Sequence, residues 1–423
     1  MLYYWIRRRK IGSVGIVGLL ILLSGCAGLK KTVQLVPVVP SVQRPIRVAL
    51  ATQPGSYTLK FTTPVKIRVE EAIYIFDASV GPLTVQLDPK FLELRSPKRY
   101  LRFPAPYHVR FSWVMAEDRI QWDGKAYPGN LELLGDETDC AAVLQLPVER
   151  YLQGVLPAEM PSHQAEYLDA LKAQAVAART YAYWRMEHPR HRWFDLFSDV
   201  KDQVMGAFDD QRQTKWVQQA VQQTAGMVLS TGQTAVAAVQ YHSTCGGVFE
   251  IKTLPPGDSI RTYRDGDASL EYCRISPLYR WVRIVQAEAL LENLVRSGFI
   301  SRQQARELQD KGFTMRLTVL QRDASGRAEQ LRISIGDTDY AVAGFKIRAI
   351  LGEEGAPLPS NYFFLLPRPG SQNQFYIFGA GFGHGKGMCQ WGAIGQALEG
   401  RNWEQILKFY YPMFTLTQRD ALP

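Results

Sequence analysis

The sequence predicts an α+β protein whose strands and helices are segregated along the chain rather than regularly alternated. Residues 46–139 break into short β-branched and aromatic runs divided by turn residues. Residues from about 163 to 188 carry an apolar repeat at three- and four-residue steps. The remainder mixes both patterns. With 423 residues, 46% hydrophobic and 21% charged, the chain has the composition of a globular protein with a substantial core and room for more than one domain.

The chain opens with Arg7–Lys10 and then Ile11–Leu23, an uncharged, mostly apolar stretch too short and too early for an ordinary membrane span. Leu23-Ser24-Gly25-Cys26 follows and resembles a bacterial lipobox. That resemblance implies a signal peptide over 1–25, acylation of Cys26, and an exported lipoprotein held in the cell envelope, periplasm-facing in a Gram-negative cell. The alternative is a simple signal anchor with an incidental cysteine. Residues 26–45, with prolines at 37, 40 and 45, read as a tether. Much of the formal charge of +9 sits in the basic leader, and no Lys/Arg-rich run recurs. The mildly basic remainder suits a membrane surface or an acidic wall polymer, and nothing in it points to nucleic acid.

Within the strand-rich region the expected strands are Arg47–Thr52, Ile67–Phe76, Leu83–Leu87, Tyr107–Val114 and Asn130–Leu134, with turns at Gln53-Pro54-Gly55 and Trp122-Asp123-Gly124. A domain boundary is placed at 139/140. A strand at Ala142–Leu146 then leads to a helix over 163–188, whose apolar face is Leu168, Leu171, Ala175, Ala178, Ala182 and Met186. Arg179 falls inside that face, where burial demands a partner. It is either half of a core ion pair or an arginine that orients a catalytic acid or grips a sugar. Further helices are expected at 211–224 and 287–311, with strands at 315–321 and 330–335.

Val155-Leu156-Pro157-Ala158-Glu159-Met160-Pro161 places one carboxylate among apolar residues and prolines. A stiff, desolvated loop of this kind raises a carboxyl pKa and suits a general acid. The competing reading is a charge that complements the next helix's dipole. Besides Cys26 the sequence has Cys140, Cys245, Cys273 and Cys389. Cys245 and Cys273 bracket a loop starting at Gly246-Gly247. A disulfide is one reading of that pair; zinc bound by His242, Cys245, Cys273 and a fourth ligand is the other. Cys140 and Cys389 read as reduced and buried.

The motifs Leu146-Pro-Val-Glu-Arg-Tyr-Leu-Gln-Gly-Val-Leu-Pro-Ala-Glu-Met160, Ala170–Tyr181, Tyr241-His-Ser-Thr-Cys-Gly-Gly247, Gly344–Arg348, Gly383-His-Gly-Lys-Gly-Met-Cys-Gln-Trp-Gly-Ala393 and Ile406–Pro412 occur in order. Together they resemble the stage II sporulation protein D family (SpoIID, with its LytB relatives) over about 140–415. The resemblance implies a mixed α+β catalytic domain with a glycan-binding cleft, no cofactor, and lytic transglycosylase activity on peptidoglycan, often on glycan stripped of stem peptides. By motif position Glu159 takes the catalytic role, and Arg179, Tyr241, His242, His384, Lys386 and Gln390 fall where the family lines its cleft. Lys386 departs from the small apolar residue that many members carry there. Tyr241 and His242 alternate sides if their segment is a strand, so only one of them faces a cleft. A second acid, such as Glu250 or Asp265, is left open by the sequence. A binder or activator of another wall hydrolase is the alternative to an enzyme.

Overall fold

Strict alternation of buried and exposed side chains folds the N-terminal region into sheets. In Leu83–Asp88, for example, Leu83, Val85 and Leu87 are buried and the residues between them are not. The computed structural model describes residues 44–113, 119–208, 214–232, 235–251, 261–264, 271–353, 355–371 and 373–422. Cys26 and Asp265 lie outside these residues. One sheet has seven strands in the order Leu196–Phe197, Ile46–Ala51, Cys140–Leu146, Asn130–Gly135, Tyr107–Trp113, Val65–Val69, Ala72–Phe76. A second has six: Lys125–Pro128, Arg119–Trp122, Gly55–Phe61, Leu83–Asp88, Phe91–Arg95, Tyr100–Pro104. The run expected as one strand over 67–76 is a hairpin, its turn marked by Glu70 at φ 50°.

The boundary expected at 139/140 does not separate two bodies. Cys140–Leu146 pairs with Asn130–Gly135 on one side and with Ile46–Ala51 on the other. One hydrophobic core runs from Ile46 to Leu422, and residues 43–423 form one unit.

Three helices pack on that core: α1 (Val148–Glu159), α2 (Leu168–Glu187) and α3 (Lys215–Gln223). Helix α1 differs from the loop expected around Glu159. Pro147 stands at its N-cap, where a missing N–H costs nothing, whereas Pro157 lies inside the helix and forgoes one hydrogen bond of its last turn, and Glu159 is its final residue. Helix α2 is alanine-rich because it is packed on several sides, against α1, α3 and the C-terminal helices.

The single helix expected over 287–311 is two, α4 (Ala287–Arg296) and α5 (Arg302–Lys311). Gly298, at φ 74°, ends the first, and a Ser301/Gln304 capping box starts the second. With α6 (Lys346–Ile350) and two three-stranded sheets they enclose a second core, from Trp281 to Ile377. The chain then returns to the first core through a glycine-rich loop, α7 (Gln390–Leu398) and α8 (Trp403–Tyr410). Among the described residues no helix is long and apolar enough to cross a membrane.

Candidate active site

Glu159 ends α1, where the unpaired carbonyls of the helix terminus disfavour a negative charge. Its carboxylate accepts the Val204 N–H at 2.7 Å and the Gln390 side-chain amide at 3.3 Å. No cation among the described residues meets it. Burial pushes its pKa above the ordinary glutamate value, and the two hydrogen bonds pull against that shift without cancelling it. The residue is nevertheless partly exposed rather than sealed.

Around it stands a tyrosine–glutamine chain. The Tyr151 hydroxyl donates to Gln203 Oε1 at 2.9 Å, and Gln203 Nε2 donates to the Tyr241 hydroxyl at 2.8 Å. Burial is the main cause raising the pKa of both phenols, and the Glu159 charge is the next. All three groups therefore share one electrostatic neighbourhood. Gln203 and Tyr241 line a cavity of about 390 Å³ whose wall also carries Tyr181, Trp184, Arg185, Arg190 and Lys201, with His384 beside them. Asp202 is the acid of that wall, and it is committed. It pairs with Arg190 at 2.8 Å and Arg185 at 3.1 Å, accepts the Phe197 N–H at 2.9 Å, and receives the Tyr181 hydroxyl.

The segment Asp202-Gln203-Val204 was not singled out from sequence. It acts through a backbone N–H and an uncharged amide, neither of which leaves a motif. The only signal was an acid in a polar loop near the second family motif.

The remaining expected residues divide. Gln390, expected to line the cleft, opens α7 but is 4% exposed and turns its side-chain amide to Glu159 rather than to the cavity. His384 is exposed at the cavity, and its Nδ1 accepts the Lys386 N–H at 3.1 Å. Lys386 enters through its backbone: its carbonyl bonds His242 Nδ1 at 3.0 Å.

Arg179 requires correction. It is fully buried and paired bidentately with Glu149, both contacts at 2.7 Å, with its other nitrogen bonded to the Met227 carbonyl at 3.2 Å and to Thr224 Oγ1 at 3.4 Å. Of the two readings of this arginine, the core ion pair is the one observed, and no face of it reaches the cavity.

His242 is also not a cleft residue. Tyr241–His242 pairs in parallel with Met388–Cys389, so the two side chains diverge; Tyr241 faces the cavity and His242 turns inward, 4% exposed. There a ring nitrogen of His242 and the sulfurs of Cys245 and Cys389 lie within 4.8 Å of one another, and Cys245 Sγ is 3.4 Å from Cys273 Sγ. The expected Cys245–Cys273 disulfide is absent: 3.4 Å far exceeds the ~2.05 Å of an S–S bond, and all four described cysteines are free and buried. Burial, with the nearby His384 and Arg327, keeps the His242 pKa well below the ordinary histidine value, so its imidazole is neutral. Glu250, considered above as a second acid, is 7% exposed, its backbone bonded to Gly385 and Gly387.

A helix ending in a desolvated glutamate, backed by tyrosines and by the first residue of a helix after a glycine-rich loop, lies on a sporulation-protein domain. Residues 136–230 match the stage II sporulation protein family, and residues 272–387 match a domain of unknown function. An uncharacterized protein of Brachyspira hyodysenteriae is 29% identical over 297 aligned positions, covering 70% of this chain and 73% of its own length. The amidase enhancer of Bacillus subtilis is 25% identical over 452 aligned positions, and 94% of this chain aligns with 59% of that protein. The stage II sporulation protein D of the same species is 26% identical over 301 positions, covering 66% of this chain and 77% of that protein. Residues 136–230 thus carry a stage II sporulation protein domain, within a chain whose similarity to these relatives extends well beyond it. The match to the domain of unknown function falls largely on the segment with its own core.

Proposed function

We propose that the protein is a peptidoglycan lytic transglycosylase with Glu159 as its acid and base. The observation that carries this reading is the division of the acids. Glu159 has a raised pKa and no cation, while Asp202 is neutralised by arginines. A hydrolase that activates water usually needs two available carboxylates; a transglycosylase needs one. Protonated Glu159 gives its proton to the glycosidic oxygen between N-acetylmuramic acid and N-acetylglucosamine, and the C1–O bond breaks. The muramyl 6-hydroxyl oxygen attacks C1 as its proton passes to the Glu159 carboxylate. The products are a 1,6-anhydro end and a free N-acetylglucosamine 4-hydroxyl; no water is consumed and the acid is regenerated.

Glu159 does not itself line the cavity, but Gln203, one residue before the Val204 that bonds Glu159, does, and the cavity offers a substrate surface of fitting chemistry. Trp184 and Tyr241 offer apolar ring faces, and Arg185, Arg190 and Lys201 outnumber Asp202, which favours a glycan bearing free lactyl carboxylates. On this reading the chain acts outside the cytoplasm, held at the membrane by a lipid on Cys26. Glycan strands freed of stem peptides, digested with wild type and with Glu159→Gln, test it. Anhydro ends should form with wild type and fall by about 10²–10⁴ with the variant. Reducing ends in their place would mean hydrolysis.

The relative named amidase enhancer favours one second reading, a glycan-bound activator of another wall hydrolase. In that case the variant would keep full function in an assay with the partner hydrolase, and neither form would cut glycan alone.

A further inference from the structure

Behind the proposed active site the chain gathers four metal-binding side chains that the transglycosylase chemistry does not use. Cys245 lies three residues after His242, Cys389 precedes α7, and Cys273 lies on the short helix Tyr272–Ile275 near the start of the second-core segment. All four are buried. We propose that His242, Cys245, Cys273 and Cys389 bind one zinc ion in a tetrahedral Cys₃His site, which pins the segment carrying the second core to the segments carrying Tyr241 and Gln390.

Distances support the assignment. Zinc–sulfur bonds of ~2.3 Å in a tetrahedron set ligand atoms ~3.8 Å apart. His242, Cys245 and Cys389 lie within 4.8 Å of one another, within about 1 Å of that edge; Cys273 stands outside that trio but 3.4 Å from Cys245, so it completes the tetrahedron by closing toward the other two ligands as the ion binds.

The histidine is prepared as a ligand. Its Nδ1 bonds the Lys386 carbonyl at 3.0 Å, while its buried Nε2 has no hydrogen-bond partner. A ligating histidine donates its other N–H to a carbonyl in this way, which fixes the tautomer and leaves the free nitrogen's lone pair for the metal. An orphaned buried nitrogen is otherwise costly.

The charge is also prepared. Zn²⁺ with three thiolates and a neutral imidazole carries one net negative charge. Arg327, 4% exposed, donates to the Cys245 carbonyl at 3.0 Å and the Val248 carbonyl at 2.9 Å, and has no ion pair among the described residues. Asp323 takes its backbone N–H rather than its guanidinium. A buried guanidinium without a carboxylate beside neutral thiols lacks a counter-charge; beside a thiolate-bound zinc it has one. Backbone N–H groups of Cys245 and Gly392 also point at Cys389 Sγ, each at 3.2 Å, as they would toward a thiolate.

The test uses the full chain, purified under reducing conditions without chelator. Elemental analysis and native mass spectrometry should find one zinc per chain. Replacement by Co²⁺ should give thiolate-to-cobalt charge-transfer and tetrahedral d–d absorption. Cys389→Ser and Cys273→Ser should each lose or blue-shift those bands, whereas Cys140→Ser, at a buried cysteine in the first sheet, should keep them. Wild-type protein that holds no zinc and takes up no Co²⁺ after reduction would overturn the proposal without reliance on any variant's folding. So would a Cys245–Cys273 disulfide in the unreduced peptide map together with no metal uptake on reduction. Metal that stays bound in both serine variants would place the ion elsewhere and would also overturn it.

Discussion

The two ends of α1 carry two glutamates with opposite fates. Glu149, in the first turn, sits where the helix dipole favours a negative charge and is clamped by Arg179. Glu159, in the last turn, sits where the dipole opposes that charge, has no cation, and is partly desolvated. One helix thus holds a structural acid and the acid proposed for the chemistry, ten residues apart. The difference teaches that what meets a carboxylate decides its role. A guanidinium fixes its charge for stability; an amide and a backbone N–H leave its proton available.

The largest effect that would break this comparison lies at the structural end. Glu149→Gln should cost on the order of 3–5 kcal/mol of stability, since it leaves the fully buried Arg179 without its counter-charge, and Arg179→Met should cost less, since the Glu149 left behind is 38% exposed and solvent screens it. Denaturant unfolding checks this, and protein that remains folded should bind glycan with unchanged affinity. A glycan-specific loss with no change in stability would return Arg179 to the cleft.

At the chemical end, Gln390→Leu removes a hydrogen bond that holds the Glu159 pKa down, so the pKa should rise further. Activity requires the protonated acid, and its alkaline limb should therefore move to higher pH; a pH–rate profile reads the shift.

Trp184→Ala should weaken glycan binding about tenfold, ~1.4 kcal/mol, with the pH profile unmoved. Trp184 lines the cavity, stacked on His188 with centroids 4.8 Å apart, and does not bond Glu159.

The smallest effect concerns stability and pH. A carboxyl whose pKa is raised by folding binds its proton more tightly in the native state. Glu159 therefore destabilises the fold progressively as pH rises from the unfolded glutamate pKa toward the folded one, and fully above it. Glu159→Gln should melt higher than wild type at neutral pH and the same at acid pH.

These assignments were legible in unequal measure. Motif position pointed to Glu159, Tyr241 and Gln390, which the fold brings into one neighbourhood, and the alternation of Tyr241 and His242 followed from strand geometry alone. The segment around Glu159 was read as a loop because Pro157 and Pro161 flank it, although the helix runs through Pro157 and ends before Pro161. The apolar face containing Arg179 was correct, yet periodicity cannot say what meets an inward arginine; the answer was Glu149, thirty residues earlier. Cys389 was set apart from the other cysteines because 144 positions separate it from Cys245, a distance closed only by the parallel pairing of Tyr241–His242 with Met388–Cys389.

The central claim is that Glu159 alone supplies acid and base. Mass spectrometry of glycan digested in H₂¹⁸O tests it most directly. The account predicts 1,6-anhydro ends without ¹⁸O, formed by wild type and not by Glu159→Gln. Reducing ends carrying ¹⁸O, or anhydro ends that persist in the variant, would contradict it.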